Sequence, residues 1–171
     1  KEFIKRNGEF TVNVALMKEN KPVLGVVFAP VLDVLYWGGA GLEACKIVGE
    51  SAPVTISAHI YHGGTVKVVT SRSHPSRQMN KFLTQFEDYE LIPMGSSLKV
   101  CIVAEASAHF YPRLGPTMEW DTAAAHAVIN AAVGRIIKVG TNEELIYNKE
   151  DLKNPFFIAQ NKYSIIPGYG D

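Results

Sequence analysis

The chain has 171 residues, 47% of them hydrophobic and 20% charged, with 17 Lys and Arg against 17 Asp and Glu. That size suits one ordinary domain or two small lobes sharing a core, and the even charge gives no bias toward nucleic acid or an anionic membrane surface. No run approaches the roughly 20 apolar residues of a membrane span, and the opening residues lack the apolar stretch of a secretory signal.

KEFIKRNGEF, at the start, has no initiator Met and runs almost at once into strand-like sequence, as in a chain entered partway through a domain. FTVNVALM, residues 10–17, is rich in β-branched residues and alternates in part, so it predicts a strand. KENKP is a turn, VLGVVFAP (23–30) a second strand, VLDVLYWGGAG a third ending in a glycine-rich turn, and GLEACKIVGE a short fourth. Short connections between four strands imply an antiparallel meander. Cys45 and Cys101 lie far apart in apolar surroundings and read as reduced core thiols of a cytosolic protein.

Pro, Ser and Gly in SAPVTISAHIYHGGT mark a lobe boundary, giving an antiparallel-sheet lobe over 1–62 and an α/β lobe over 63–171. TVKVVTS (65–71) is a strand, and Pro75 suits the first position of a helix carrying Met79, Phe82, Leu83 and Phe86 on one face. YELIP then predicts a strand, GSSLKVCIVAEASA a helix, HFYPRL a strand, an Ala-rich helix starts from Asp121, GRIIKV is a strand, and NPFFIAQNKYSIIPG adds a last one. Alternating β and α elements define an α/β lobe.

Three motifs fall at strand-to-helix junctions, where open α/β sheets bind ligands and helix N-termini present free N–H groups. TSRSH (70–74) offers hydroxyl, guanidinium and imidazole donors, fit for a phosphate or for a plain polar cap. In GSSLK (95–99), Ser96 or Ser97 can cap the helix, and Lys99 sits in the first turn, where the helix dipole disfavours a cation unless an anion is near; its alternative is a packed stem with a hydrated ammonium. Asp121, in GPTMEWDTAAAHAV, is either a helix cap or a hard-oxygen ligand for Mg²⁺, and Glu119 beside it either assists or is solvated. His59 and His62 lack companions at zinc spacing, and GGAG (38–41) lacks the strand-to-helix setting of a dinucleotide loop.

Taken in order, KEFIKRNGEFTVNVAL, LGVVFAPV, SRSH, GSSLK and YPRLGPTMEWDTAAAHAV resemble the CysQ-type 3'(2'),5'-bisphosphate nucleotidases of the inositol monophosphatase superfamily, from Lys1 to about Phe157. The resemblance implies an α/β fold, the layered α/β sandwich of that superfamily with an antiparallel-sheet lobe followed by an α/β lobe. It also implies Mg²⁺-dependent removal of the 3'-phosphate of 3'-phosphoadenosine 5'-phosphate to give AMP, in the cytoplasm or loosely at the membrane. By the same resemblance Asp121 is a metal ligand, Ser71 and His74 are adenosine-side contacts, Ser96 and Lys99 hold the nucleotide, and Arg113 fixes the 5'-phosphate.

Two departures accompany it. The family's DPLDGT motif and its upstream metal-binding glutamates are not among these residues, so the expectation is a C-terminal piece, incomplete for catalysis by itself, with a first strand that exposes an unpaired edge. Ala125 and Val133 stand where the family usually has glycine, which is expected to alter helix packing near Asp121. Two other readings stay open: an inositol monophosphatase-like sugar phosphatase, and a non-catalytic nucleotide-binding module.

Overall fold

The structure is a computed structural model and describes residues 8–71 and 77–166. Its first sheet is an antiparallel meander of β1 (Val12–Lys18), β2 (Lys21–Ala29), β3 (Val34–Gly39), β4 (Cys45–Val48) and β5 (Val54–Thr55), in that spatial order. The turn between β1 and β2 is Glu19-Asn20, both at positive φ (50° and 63°), the twist that a two-residue hairpin favours. Strand β5, only two residues long, lies within SAPVTISAHIYHGGT, the stretch whose composition marks a lobe boundary.

The second sheet has the order β7-β6-β8-β10-β9, from β6 (Val66–Thr70), β7 (Tyr89–Pro93), β8 (Phe110–Arg113), β9 (Gly134–Lys138) and β10 (Phe157–Asn161). Strand β6 runs parallel to both neighbours, and β10 is antiparallel to β8 and β9. From β6 the chain crosses through α1 (Arg77–Leu83) to β7, then through α2 (Leu98–Ala104) to β8 on the other side of β6. Right-handed crossovers stepping in opposite directions place their helices on opposite faces of a sheet. The cores agree: Met79, Phe82 and Leu83 of α1 pack with Val66, Val68 and Ile158, whereas α2 packs with Val69, Tyr111 and Phe157.

Between the two sheets lies α3 (Ala123–Ala131), sharing one apolar cluster with α2, with Val27 and Tyr36 of the first sheet and with Ile136 and Ala159 of the second. Its alanines allow close approach to the first sheet. A Cβ added at Gly25 would lie 2.0 Å from the Ala124 carbonyl oxygen, and one at Gly38 would lie 2.9 Å from the Ala131 Cβ. A second tie joins the first sheet to the end of α2: Glu105 accepts the Tyr36 hydroxyl at 2.8 Å and pairs with Lys46 at 2.6 Å. Both cysteines are buried and free, and burial with the nearby Glu105 charge pushes the Cys101 thiol up, leaving it unreactive.

The expectation about Val133 needs correction. It lies just beyond the C-terminal end of α3, the far end from Asp121, so it does not alter packing near that residue. Its φ is +61°, a conformation that a β-branched side chain rarely adopts and that helix ends usually give to glycine. Ala125, by contrast, is buried within α3 and packs in the shared core.

Two predictions follow from this packing. Gly25→Ala should abolish folding or cost at least about 3 kcal/mol, since the contact is with backbone that cannot move aside, and chemical denaturation would measure it. Val133→Gly should raise stability by about 1 kcal/mol, whereas Val133→Ala, still at positive φ, should gain little.

Candidate functional site

In the second sheet the three parallel strands β7, β6 and β8 end on the same edge, and the three sequence motifs are the segments that follow them: GSSLK after β7, TSRSH after β6, and the run to GPTMEWD after β8. Strand order reverses about β6, and ligands of open α/β sheets bind in the crevice outside the C-terminal strand ends at such a point. A cleft of about 350 Å³ opens here, and Ser96, Lys99, Arg113 and Asp121 all line it, together with Asn13, Tyr111 and Thr117. Four of the six residues singled out from the sequence thus converge. Ser71 is half-buried at the end of β6 and does not line the cleft, and His74, with Pro75, lies outside the described residues.

GSSLK is built differently from a capped helix start. Ser97 occupies the N-cap of α2 but makes no side-chain capping bond; its hydroxyl donates instead to Asn13 Oδ1 on β1 at 2.6 Å, and Thr11 Oγ1 lies 2.7 Å from it and 2.8 Å from Ser96 Oγ. These bonds fasten the loop to the first sheet, and Ser96 adopts φ +52°, a strained conformation of the sort found at ligand-binding turns. Lys99, buried in the first turn, holds its ammonium 5.7 Å from the centre of the Tyr111 ring, within range of a cation–π attraction.

Arg113, at the end of β8, donates from Nη2 to the Pro116 carbonyl at 2.8 Å, while its Nε is buried without a partner among the described residues. A buried donor left unpaired is costly and calls for an acceptor. Burial pushes the Tyr111 hydroxyl up to about 12, with the Arg113 cation opposing the rise and the Asp121 carboxylate adding to it. Two cations therefore share this wall of the cleft with one acid.

Asp121 is not the cap of the Ala-rich helix. It closes a 3₁₀ turn, Glu119–Asp121, and α3 begins two residues later. Its Oδ2 accepts the Met118 N–H at 3.0 Å, the one hydrogen bond its carboxylate makes among the described residues, and the side chain is exposed to the cleft. Glu119 points elsewhere and is buried. It accepts the backbone N–H groups of Asn148 at 2.7 Å and Lys149 at 3.2 Å and pairs with the Lys149 ammonium.

Mg²⁺ is commonly held by one or two carboxylates completed by phosphate and water. A carboxylate aimed into a cleft lined by cations fits one ligand of such an ion. Among the described residues no group of three or more His, Cys, Asp or Glu is assembled, and Asp121 is the one acid lining this cleft. Asn13, Tyr111 and Thr117 went unnoticed in the sequence. Asn13 had a faint signal, a polar side chain inside an otherwise apolar strand; Tyr111 and Thr117 had none apart from their place beside named motifs.

The chain belongs to the inositol monophosphatase family, whose model matches residues 1–167; enzymes of that family are metal-dependent phosphatases. Within it, the chain is 46% identical over 158 residues to the 3'(2'),5'-bisphosphate nucleotidase CysQ of Salmonella typhimurium and 45% identical to that of Escherichia coli K12, covering 92% of this chain in each case. It spans 62% of the length of those relatives. A crystal structure of CysQ from Bacteroides thetaiotaomicron superposes with a TM-score of 0.83 at 42% identity, over 95% of this chain and 66% of that one. Among the described residues no helix is long and apolar enough to cross a membrane.

The Glu119 contacts carry a pH signature. Burial raises its pKa, but hydrogen bonds from Lys149 and from the Asn148 and Lys149 amides outweigh burial and hold the carboxyl below its ordinary 4.5. A carboxyl depressed on folding stabilises the native state above its unfolded pKa, and that contribution is lost as pH falls through the folded value. Glu119→Gln should therefore melt below the unaltered protein at pH 7, with the gap narrowing as pH falls below about 4.5; thermal melts across pH would read it.

Proposed function

We propose that this chain forms the nucleotide-binding and part of the metal-binding half of a phosphatase that removes the 3'-phosphate of 3'-phosphoadenosine 5'-phosphate, giving AMP and phosphate. The observation that carries it is the cleft itself, which Lys99, Arg113 and Asp121 line together beyond the ends of three parallel strands. Lys99 and Arg113 bind the anionic ligand, with the Arg113 guanidinium suited to grip two phosphate oxygens at once. Ser96 adds a hydroxyl, and Ser71 and His74 act on the adenosine side. Asp121 holds Mg²⁺, and the chemistry that ion supplies when bound is polarisation of a phosphoryl oxygen and stabilisation of the leaving oxygen.

The likeness to the CysQ proteins supports the choice of substrate, since this chain is 46% and 45% identical over 158 residues to two proteins of that name. Residues 1–62 and 63–171 act as two lobes of one unit, joined by the core around α3. The cytoplasm is the location that two buried, free thiols favour.

Phosphate release from 3'-phosphoadenosine 5'-phosphate by the full-length gene product tests the proposal. Mg²⁺-dependent turnover is expected, falling at least about 100-fold in Asp121→Asn, beyond what loss of a supporting group costs. Arg113→Lys should raise KM more than it lowers kcat. Faster release from an inositol monophosphate would make the protein a sugar phosphatase, and saturable nucleotide binding without turnover would make it a binding module.

A further inference from the structure

The turn that presents Asp121 is held by a residue 33 positions further along the chain. Asn154 is buried, and its side-chain Nδ2 donates to the Met118 carbonyl at 2.9 Å and to Thr122 Oγ1 at 3.0 Å, with Thr117 Oγ1 a third, longer acceptor at 3.3 Å. Its backbone N–H donates to the Thr117 carbonyl at 2.9 Å. Its Oδ1 is buried with no partner among the described residues, so the side chain acts here as a donor. Rotating the amide by half a turn would set oxygen against the Met118 carbonyl, which fixes the assignment.

These bonds form a short relay. The Thr117 carbonyl and the Met118 N–H belong to one peptide unit, gripped at its oxygen by the Asn154 backbone and donating at its nitrogen to Asp121 Oδ2 at 3.0 Å. The next peptide unit is held through the Met118 carbonyl by the Asn154 amide. Hydrogen bonds in such a series polarise one another. We infer that Asn154 is the positioning residue for Asp121, locking both peptide planes that flank Met118 and thereby setting the direction of the carboxylate in the cleft.

This rests on the proposal that Asp121 holds a metal ion. Groups that orient a ligand in this way typically cost about 10–100-fold in metal affinity when removed. Tyr147 supplies the comparison: it belongs to the same buried network, its hydroxyl lying 2.9 Å from His126 Nδ1 and donating to Thr122 Oγ1 at 3.3 Å, but it makes no hydrogen bond to Thr117 or Met118.

The test is Mn²⁺ binding to the full-length gene product without substrate, by calorimetry, alongside thermal melts. Asn154→Ala should weaken Mn²⁺ at least about 10-fold, while Tyr147→Phe lowers the melting temperature and leaves the affinity unchanged. Should Asn154→Ala not fold, Asn154→Gln, which displaces the same amide by one methylene, is expected to show the same weakening. Unchanged affinity in the Asn154 variant, or equal weakening in both variants, would overturn the inference and leave Asn154 a packing residue. If Asp121→Asn itself binds Mn²⁺ as tightly as the unaltered protein, the metal reading of Asp121 fails, and this inference with it.

Discussion

The structure depends on how closely α3 lies against the first sheet. A helix of alanines can approach a strand closely only where that strand has no side chain in the way, and Gly25 and Gly38 provide the two places. The other side of α3 faces α2 and the second sheet, so one short helix fixes the spacing of both sheets. Because Asp121 closes the turn leading into that helix, the same contact sets where the acid stands relative to Lys99 and Arg113.

Around this contact the cleft is assembled from distant parts of the chain. Its floor comes from β8 and α2, its acid from the turn before α3, and one rim from the start of β1, where Asn13, with Thr11 just before the strand, reaches the GSSLK loop across more than 80 residues of sequence. The segment 147–154 backs the acid, through Glu119 on one side and Asn154 on the other. Each cation is restrained before any ligand arrives: Lys99 over an aromatic ring, Arg113 by a backbone carbonyl. Groups fixed in advance bind with less loss of side-chain freedom.

Much of this was legible because local chemistry and tertiary demand coincide. Met79, Phe82 and Leu83 recur at helical spacing and do form the buried side of α1, whereas Phe86, expected on the same face, is buried beyond the end of that helix. Strands β1, β2, β6 and β9 lie within two residues of the stretches expected for them, whereas the stretches expected for β4 and β10 run well past the strands themselves. The motifs were legible as a set because all three follow parallel strands, a relation that sequence order alone expresses.

The remainder depended on partners remote in sequence. Ser97 looked like a helix cap, and nothing local says that its hydroxyl is taken by Asn13 instead. Asp121 likewise read as the first residue of a helix, whereas the Met118 amide draws its carboxylate into a 3₁₀ turn. Asn154 opens the stretch that reads as the last strand, and nothing local marks its reach back to the turn at Met118. Strand β5 is too short for any periodicity to register. The most direct test of the account is a crystal structure of the full-length gene product with AMP and Mg²⁺. It should place a phosphate against Lys99 and Arg113 and the metal on Asp121, and a nucleotide bound away from this cleft, with Asp121 touching only Met118, would contradict it.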